Sequence, residues 1–128
     1  MLKRFSTLIL VATAAVSGCT SMQEVSEAKG NGVKRSYHQP YDVVWDSAVS
    51  AVASTELDVV EQEKQQGRIL AKNGMTLDSY GENVAVFVER ESDTKTNVEV
   101  VSRSVVKSNI TATDWTDYIL DSMQKELK

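Results

Sequence analysis

Apolar residues are unevenly spread along this chain, and that unevenness constrains it most. A single apolar block occupies residues 1–18, and everything after residue 19 is mixed and polar. Lys3 and Arg4 give the block a positive start, and Phe5 to Val16 continue it, broken only by Ser6, Thr7 and Thr13. As a helix of roughly 12 residues that stretch would rise roughly 18 Å. The hydrocarbon core of a bilayer is roughly 30 Å thick. A positive start, a short apolar middle and small residues at the end describe a secretory signal peptide rather than a spanning helix. What can fold is therefore the remainder, roughly one hundred residues, which suits one domain. Hydrophobic residues make up 41% and charged residues 25% of the chain, a balance that fits a globular domain and argues against disorder.

The block ends in Val16-Ser17-Gly18-Cys19. This run resembles the lipobox of bacterial lipoproteins: an aliphatic residue, two small residues, then cysteine. The thiolate is the nucleophile that would accept diacylglycerol, so no other residue type serves there. Val16, Ser17 and Gly18 would be the signal-peptidase recognition residues. Cys19 is the sole cysteine, and an exported chain with one unpaired thiol needs an explanation. Lipidation supplies it. The resemblance implies a signal peptide over 1–18 and a mature chain starting at Cys19, with a thioether-linked diacylglycerol and an amide-linked acyl chain. Cofactors are otherwise not expected. In that family Asp after the cysteine retains the protein in the inner membrane, so Thr20 implies sorting to the outer membrane, periplasmic face.

Loss of Lys3 and Arg4 from a chain with 14 basic and 18 acidic residues takes its net charge from −4 to about −6. Anionic polymers are repelled by such a surface, and nucleic acid is excluded as a partner.

Residues 19–32 are small, polar and glycine-containing without periodicity, and read as a lipidated flexible tether spanning roughly 20 Å on average. The globular domain is expected over 33–128. Val33 to His38 alternates as a strand. Pro40 opens a helix whose apolar stripe is Tyr41, Val44, Trp45, Ala48, Val49, Val52 and Ala53. Leu57 to Glu61 and Arg68 to Lys72 read as strands about a turn at Gln65-Gln66-Gly67. Asn73 to Asn83 reads as a loop, with a short strand conceivable at Met75 to Leu77. Asn83 to Glu91 and Thr96 to Val106 complete the strands, with a bulge expected where Val100 and Val101 adjoin. Thr113 reads as the N-cap of a second helix with Asp114 and Asp117 in its first turn. Its apolar face is Trp115, Ile119, Met123 and Leu127, and Lys125 and Lys128 suit its C-terminus. The order β-α-β-β-β-β-α predicts an α+β two-layer sandwich, an antiparallel sheet of four to five strands covered on one face by two helices, with Trp45 meeting Trp115 in the core.

The run Pro40-Tyr41-Asp42-Val43-Val44-Trp45, an alanine-rich second helix turn, Gln66-Gly67-Arg68-Ile69 and a closing tryptophan helix look like a group of small envelope lipoproteins. The pattern is also similar to the helix-grip domains of BamC, an accessory lipoprotein of the outer-membrane β-barrel assembly machine. The likeness covers residues 33–128, and its motifs are mostly fold-forming.

Signs of catalysis are sparse. His38 is the sole histidine. It is a conceivable general base or metal ligand, but beside Pro40 at a strand end it is more simply a surface residue. Asp114, Asp117 and Asp121 lie on one side of the second helix. They could hold a hard cation, yet lack loop carbonyls and read as a solvated face, so no metal is expected. Asp42 with Asp46, and Glu89, Glu91 and Asp93, are paired carboxylates of the kind burial can turn to acid–base work. Nothing in the sequence suggests that they are buried, and the strand set marks the solvent side of the sheet or its edge instead. No nucleophile elbow occurs, and Gly30-Asn31-Gly32 lacks the lysine and helix of a phosphate loop.

The reading is of a non-enzyme: a lipid-anchored accessory module that binds another envelope protein. The alternative is a carrier or sensor of a small apolar ligand held between sheet and helices, with a packed interior around Trp45, Phe87 and Trp115 excluding it. Met75, Leu77 and Tyr80, in the longest loop, form the candidate binding loop.

Overall fold

Five segments become strands, and two of them contain unbroken apolar runs, residues 69–71 and 84–88, that suit a sheet covered on both faces. The computed structural model describes residues 21–74, 81–106 and 113–127. In chain order the elements are α1 (Met22–Ser26), β1 (Val33–Tyr37), α2 (Tyr41–Ala53), β2 (Asp58–Glu63), β3 (Arg68–Asn73), β4 (Glu82–Ser92), β5 (Lys95–Ser104) and α3 (Thr116–Glu126). The strands form one antiparallel sheet in the order β1-β5-β4-β3-β2. This is the α+β class expected, with α2 and α3 packed on one face.

Chain order and sheet order differ because β1 and β2 occupy opposite edges. Four gaps of about 4.8 Å separate them, roughly the length of a 13-residue helix at about 1.5 Å per residue. Helix α2 is thus long enough to carry the chain over the sheet. Pro40 stands at its N-cap in extended conformation, where the missing N–H leaves no helical bond unmade. Val44, Trp45, Ala48, Ala51 and Val52 point inward from α2, and Ile119, Leu120 and Met123 do so from α3. They meet Ile69, Ala71, Val84, Val86, Val88, Val98 and Val100 of the central strands. Trp45 and Trp115 share this core, but each keeps an aromatic partner near it in the chain. Tyr41 stacks on Trp45 at 6.4 Å, and Tyr118 meets Trp115 edge-on at 5.9 Å.

Four details depart from the sequence reading. No bulge interrupts Val100 and Val101, which pair in continuous register with Val86 and Ala85. Two adjoining valines fit a regular strand because both faces of the sheet are covered here, Val100 on one side and Val101 on the other. The register shifts instead between Val59 and Glu61 on the edge strand β2 and between Arg90 and Ser92 beside the β4–β5 turn. A shift on an edge strand also discourages pairing with foreign strands.

Thr113 is not the cap of α3. Its N–H donates to Glu82 Oε1, Trp115 occupies the N-cap, and Asp114 Oδ1 accepts from the Thr116 N–H. Phe87 lies on the other face of the sheet from Trp45 and Trp115, since it alternates with Val86 and Val88.

The largest departure is at residues 22–32. The segment expected to be a flexible tether carries α1, capped by Ser21, whose hydroxyl accepts from the Glu24 N–H at 3.2 Å. Val25 is fully buried against Leu70, Ala85, Phe87 and Val101 on the sheet face away from α2 and α3, with Met22 and Ala28 beside it. Packed chain therefore begins well before Val33. One buried valine and one buried carboxylate, Glu99, hold the segment down.

Candidate functional site

The residues proposed from sequence for lipid attachment and sorting, Val16, Ser17, Gly18, Cys19 and Thr20, lie outside the described residues, as do Met75, Leu77 and Tyr80 of the candidate binding loop. Among the described residues, two surface regions gather side chains of interest: a clamp around Glu99 and a groove around Tyr41.

Glu99 sits mid-way along β5, facing α1, and is only 3% exposed. Its carboxylate accepts from the Gly30 N–H at 2.8 and 2.9 Å and from the Gly32 N–H at 3.0 Å. Hydrogen bonds to a charged acceptor are the stronger kind, and these satisfy a carboxylate that burial would otherwise penalise. Gly32 is required by the close approach, because a Cβ there would run into the carbonyl oxygen of Val100. Arg103 adds a bond from Nη2 to the Asn31 carbonyl at 3.2 Å, and Lys29 pairs with Glu89 at 3.1 Å. The other deeply buried carboxylate, Glu82, accepts from Asn73 Nδ2 at 3.2 Å and from the Thr113 N–H, linking the β3–β4 hairpin to the approach of α3. Both acids serve as acceptors for the fold.

The groove, about 580 Å³ in volume, opens to solvent between the first turn of α2, the β2–β3 turn and the end of β4. Its floor is Tyr41, Gly67 and Val88, and its rim carries Lys64, Gln66 and Arg90. Gly67 makes the tight floor possible. Its φ of +68° belongs to the left-handed region, and a Cβ would strike the Val88 carbonyl. The Val88 N–H donates to the Gly67 carbonyl at 2.7 Å. The Tyr41 hydroxyl donates to the Lys64 carbonyl at 2.5 Å, and the Arg90 guanidinium lies 5.6 Å from its ring centre, a cation–π arrangement. Burial pushes the Tyr41 hydroxyl above its ordinary range, against the opposing pull of Lys64 and Arg90, so it remains a donor at neutral pH. Lys64 is paired with Asp42 at 3.1 Å. The result is an aromatic floor inside a ring of charges, open enough for a peptide or a protruding side chain.

No protein-family model matches this chain, and no curated protein matches it.

The other carboxylates named from sequence are on the outside and apart. Asp114, Asp117 and Asp121 are exposed, and Asp121 accepts from Arg35 at 2.8 Å. Asp42 and Glu89 belong to opposite walls of the groove and Glu91 pairs with Lys95 at 3.3 Å. His38 and Asp46 are exposed. Among the described residues no cluster of three or more His, Cys, Asp or Glu is placed to hold a metal ion, and no helix is long and apolar enough to cross a membrane. The groove was missed from sequence because its parts are a turn, a helix start and a strand end, brought together only by folding. Its one local signal, Gln66-Gly67-Arg68-Ile69, has the pattern of an ordinary fold-forming turn.

Proposed function

We propose that this chain is an envelope lipoprotein, acylated at Cys19 and held at the periplasmic face of the outer membrane, that acts there as a non-catalytic module binding another protein. The observation that carries the reading is the run Val16-Ser17-Gly18-Cys19 at the end of a short apolar segment. Two or three acyl chains hold a protein to a bilayer far more firmly than a single one. The groove over Tyr41 is the contact surface this reading favours, because an aromatic floor with arginine at the rim is the composition of many protein contacts. The rival reading, a carrier of a small apolar ligand, gains little support. Between helices and sheet the side chains of Val44, Ala48, Val52, Val84, Val86, Val98 and Ile119 are fully buried against one another, and the 580 Å³ groove lies outside that core.

Feeding cells a radiolabelled fatty acid tests the reading. The natural chain should take up label and sediment with membranes, and Cys19→Ala should do neither. An unlabelled natural chain found in the soluble periplasm would contradict it.

A further inference from the structure

We propose that the anchored protein lies with the α1-bearing face of its sheet against the bilayer and turns α2 and α3 away from it. This orientation rests on acylation of Cys19, and it follows from where the packed chain begins. Ser21 caps α1, and α1 is fixed to the sheet by Val25 and by the bonds of Gly30 and Gly32 to Glu99. Only Thr20 lies between Ser21 and the lipid-bearing cysteine, and the two steps from residue 19 to 21 reach at most about 7 Å fully extended. A free segment from 19 to 32 would instead have given roughly 20 Å of slack, enough for the domain to present any side. With α1 fastened down, the start of α1 must sit at headgroup level, and the sheet face beneath it follows.

Charge does not decide between the two sides, since both mix signs. Helices α2 and α3 carry Asp42, Asp46, Asp117, Asp121 and Glu126 against Lys125, with Asp121 and Asp42 paired to Arg35 and Lys64. On the α1-bearing side Glu24, Glu27 and Glu89 stand among Lys29, Lys34, Lys72 and Arg103. Lys34 and Lys72 are exposed. The surface left for a partner is then the helix side and the part of the groove around Tyr41, Lys64 and Arg90, away from Lys29 and Glu89.

Fluorophores on single cysteines of the cell-acylated full chain test this, the Cys19 thiol being occupied by lipid. Lys34→Cys and Lys72→Cys report the α1 side, and Ser50→Cys and Gln124→Cys report the helix side. All four are remote from residue 19 in the chain. In vesicles of phosphatidylethanolamine and phosphatidylglycerol carrying a headgroup quencher, the first pair should be quenched several-fold more than the second. Inserting a flexible linker of about twelve residues between Thr20 and Ser21 restores the slack and should level the four signals. Protein that floats with the vesicles but shows equal quenching at all four sites would overturn the orientation alone. A contrast that survives the linker would keep the orientation and overturn the short attachment as its cause. Protein that fails to float would overturn the acylation and the orientation together.

Discussion

The sheet face under α2 and α3 and the face under α1 are made by the same strands, yet they are closed in different ways. On the first, two helices of 13 and 11 residues bury a continuous core of valines, isoleucines and tryptophans. On the second, a five-residue helix covers a patch of four side chains and is tied down by a buried carboxylate. A helix that short is not stable in isolation, so its existence depends on the surface it covers. One face makes the fold; the other attaches the leading segment to it. The difference implies that the two layers separate under stress, with α1 opening long before the helix-covered core.

Substitutions on the two faces sharpen that contrast. Ile119→Ala, in the large core, should destabilise the whole domain by about 2–5 kcal/mol, read as a lower urea midpoint with unchanged slope. Val25→Ala removes a buried side chain from the small cluster and should cost roughly 1–2 kcal/mol. Its effect should concentrate on local opening of residues 22–32 in native-state hydrogen exchange. Equal effects of the two on global unfolding would break the distinction.

A smaller effect is expected where β1 meets α3. The Tyr37 hydroxyl donates to the Leu120 carbonyl at 2.9 Å, and Tyr37→Phe should cost about 0.5–1.5 kcal/mol. Burial, the leading influence, holds the Tyr37 hydroxyl above its ordinary value of 10.0, with Arg35 opposing. Above about pH 10 the unfolded chain therefore loses this proton while the folded chain retains it, so stability should fall as pH rises through that range. Tyr41 is raised as well, and Tyr37→Phe should weaken the alkaline decline without abolishing it. Urea midpoints on either side of that pH measure both.

Much of the large core was readable from order alone. The recurrence of Val44, Trp45, Ala48 and Val52 at three and four residues is a periodicity that burial on one side explains, and Val84, Val86 and Val88 share one face of their strand although Ala85 and Phe87 between them are buried on the other. The small face was hidden for equally physical reasons. Met22–Ser26 is too short to display a period, and its burial depends on one valine. Glu99 sits in the alternation where an outward charge is ordinary, and nothing near it in sequence announces the glycine N–H groups it receives from a segment some seventy residues earlier. Val100 and Val101 looked like a bulge because a second covered face was not foreseen. The candidate site divided the same way: chemical type marked Cys19, whereas the groove over Tyr41 is a product of tertiary placement.

The attachment of residues 22–32 to the sheet is the claim on which both the contrast of faces and the membrane orientation depend, and backbone ¹⁵N relaxation of the Gly30 and Gly32 amides addresses it directly. Order parameters near those of β5, about 0.85, are predicted, with a drop at both glycines in Glu99→Gln. Values below about 0.6 in the natural chain would mean a free tether and would contradict the account.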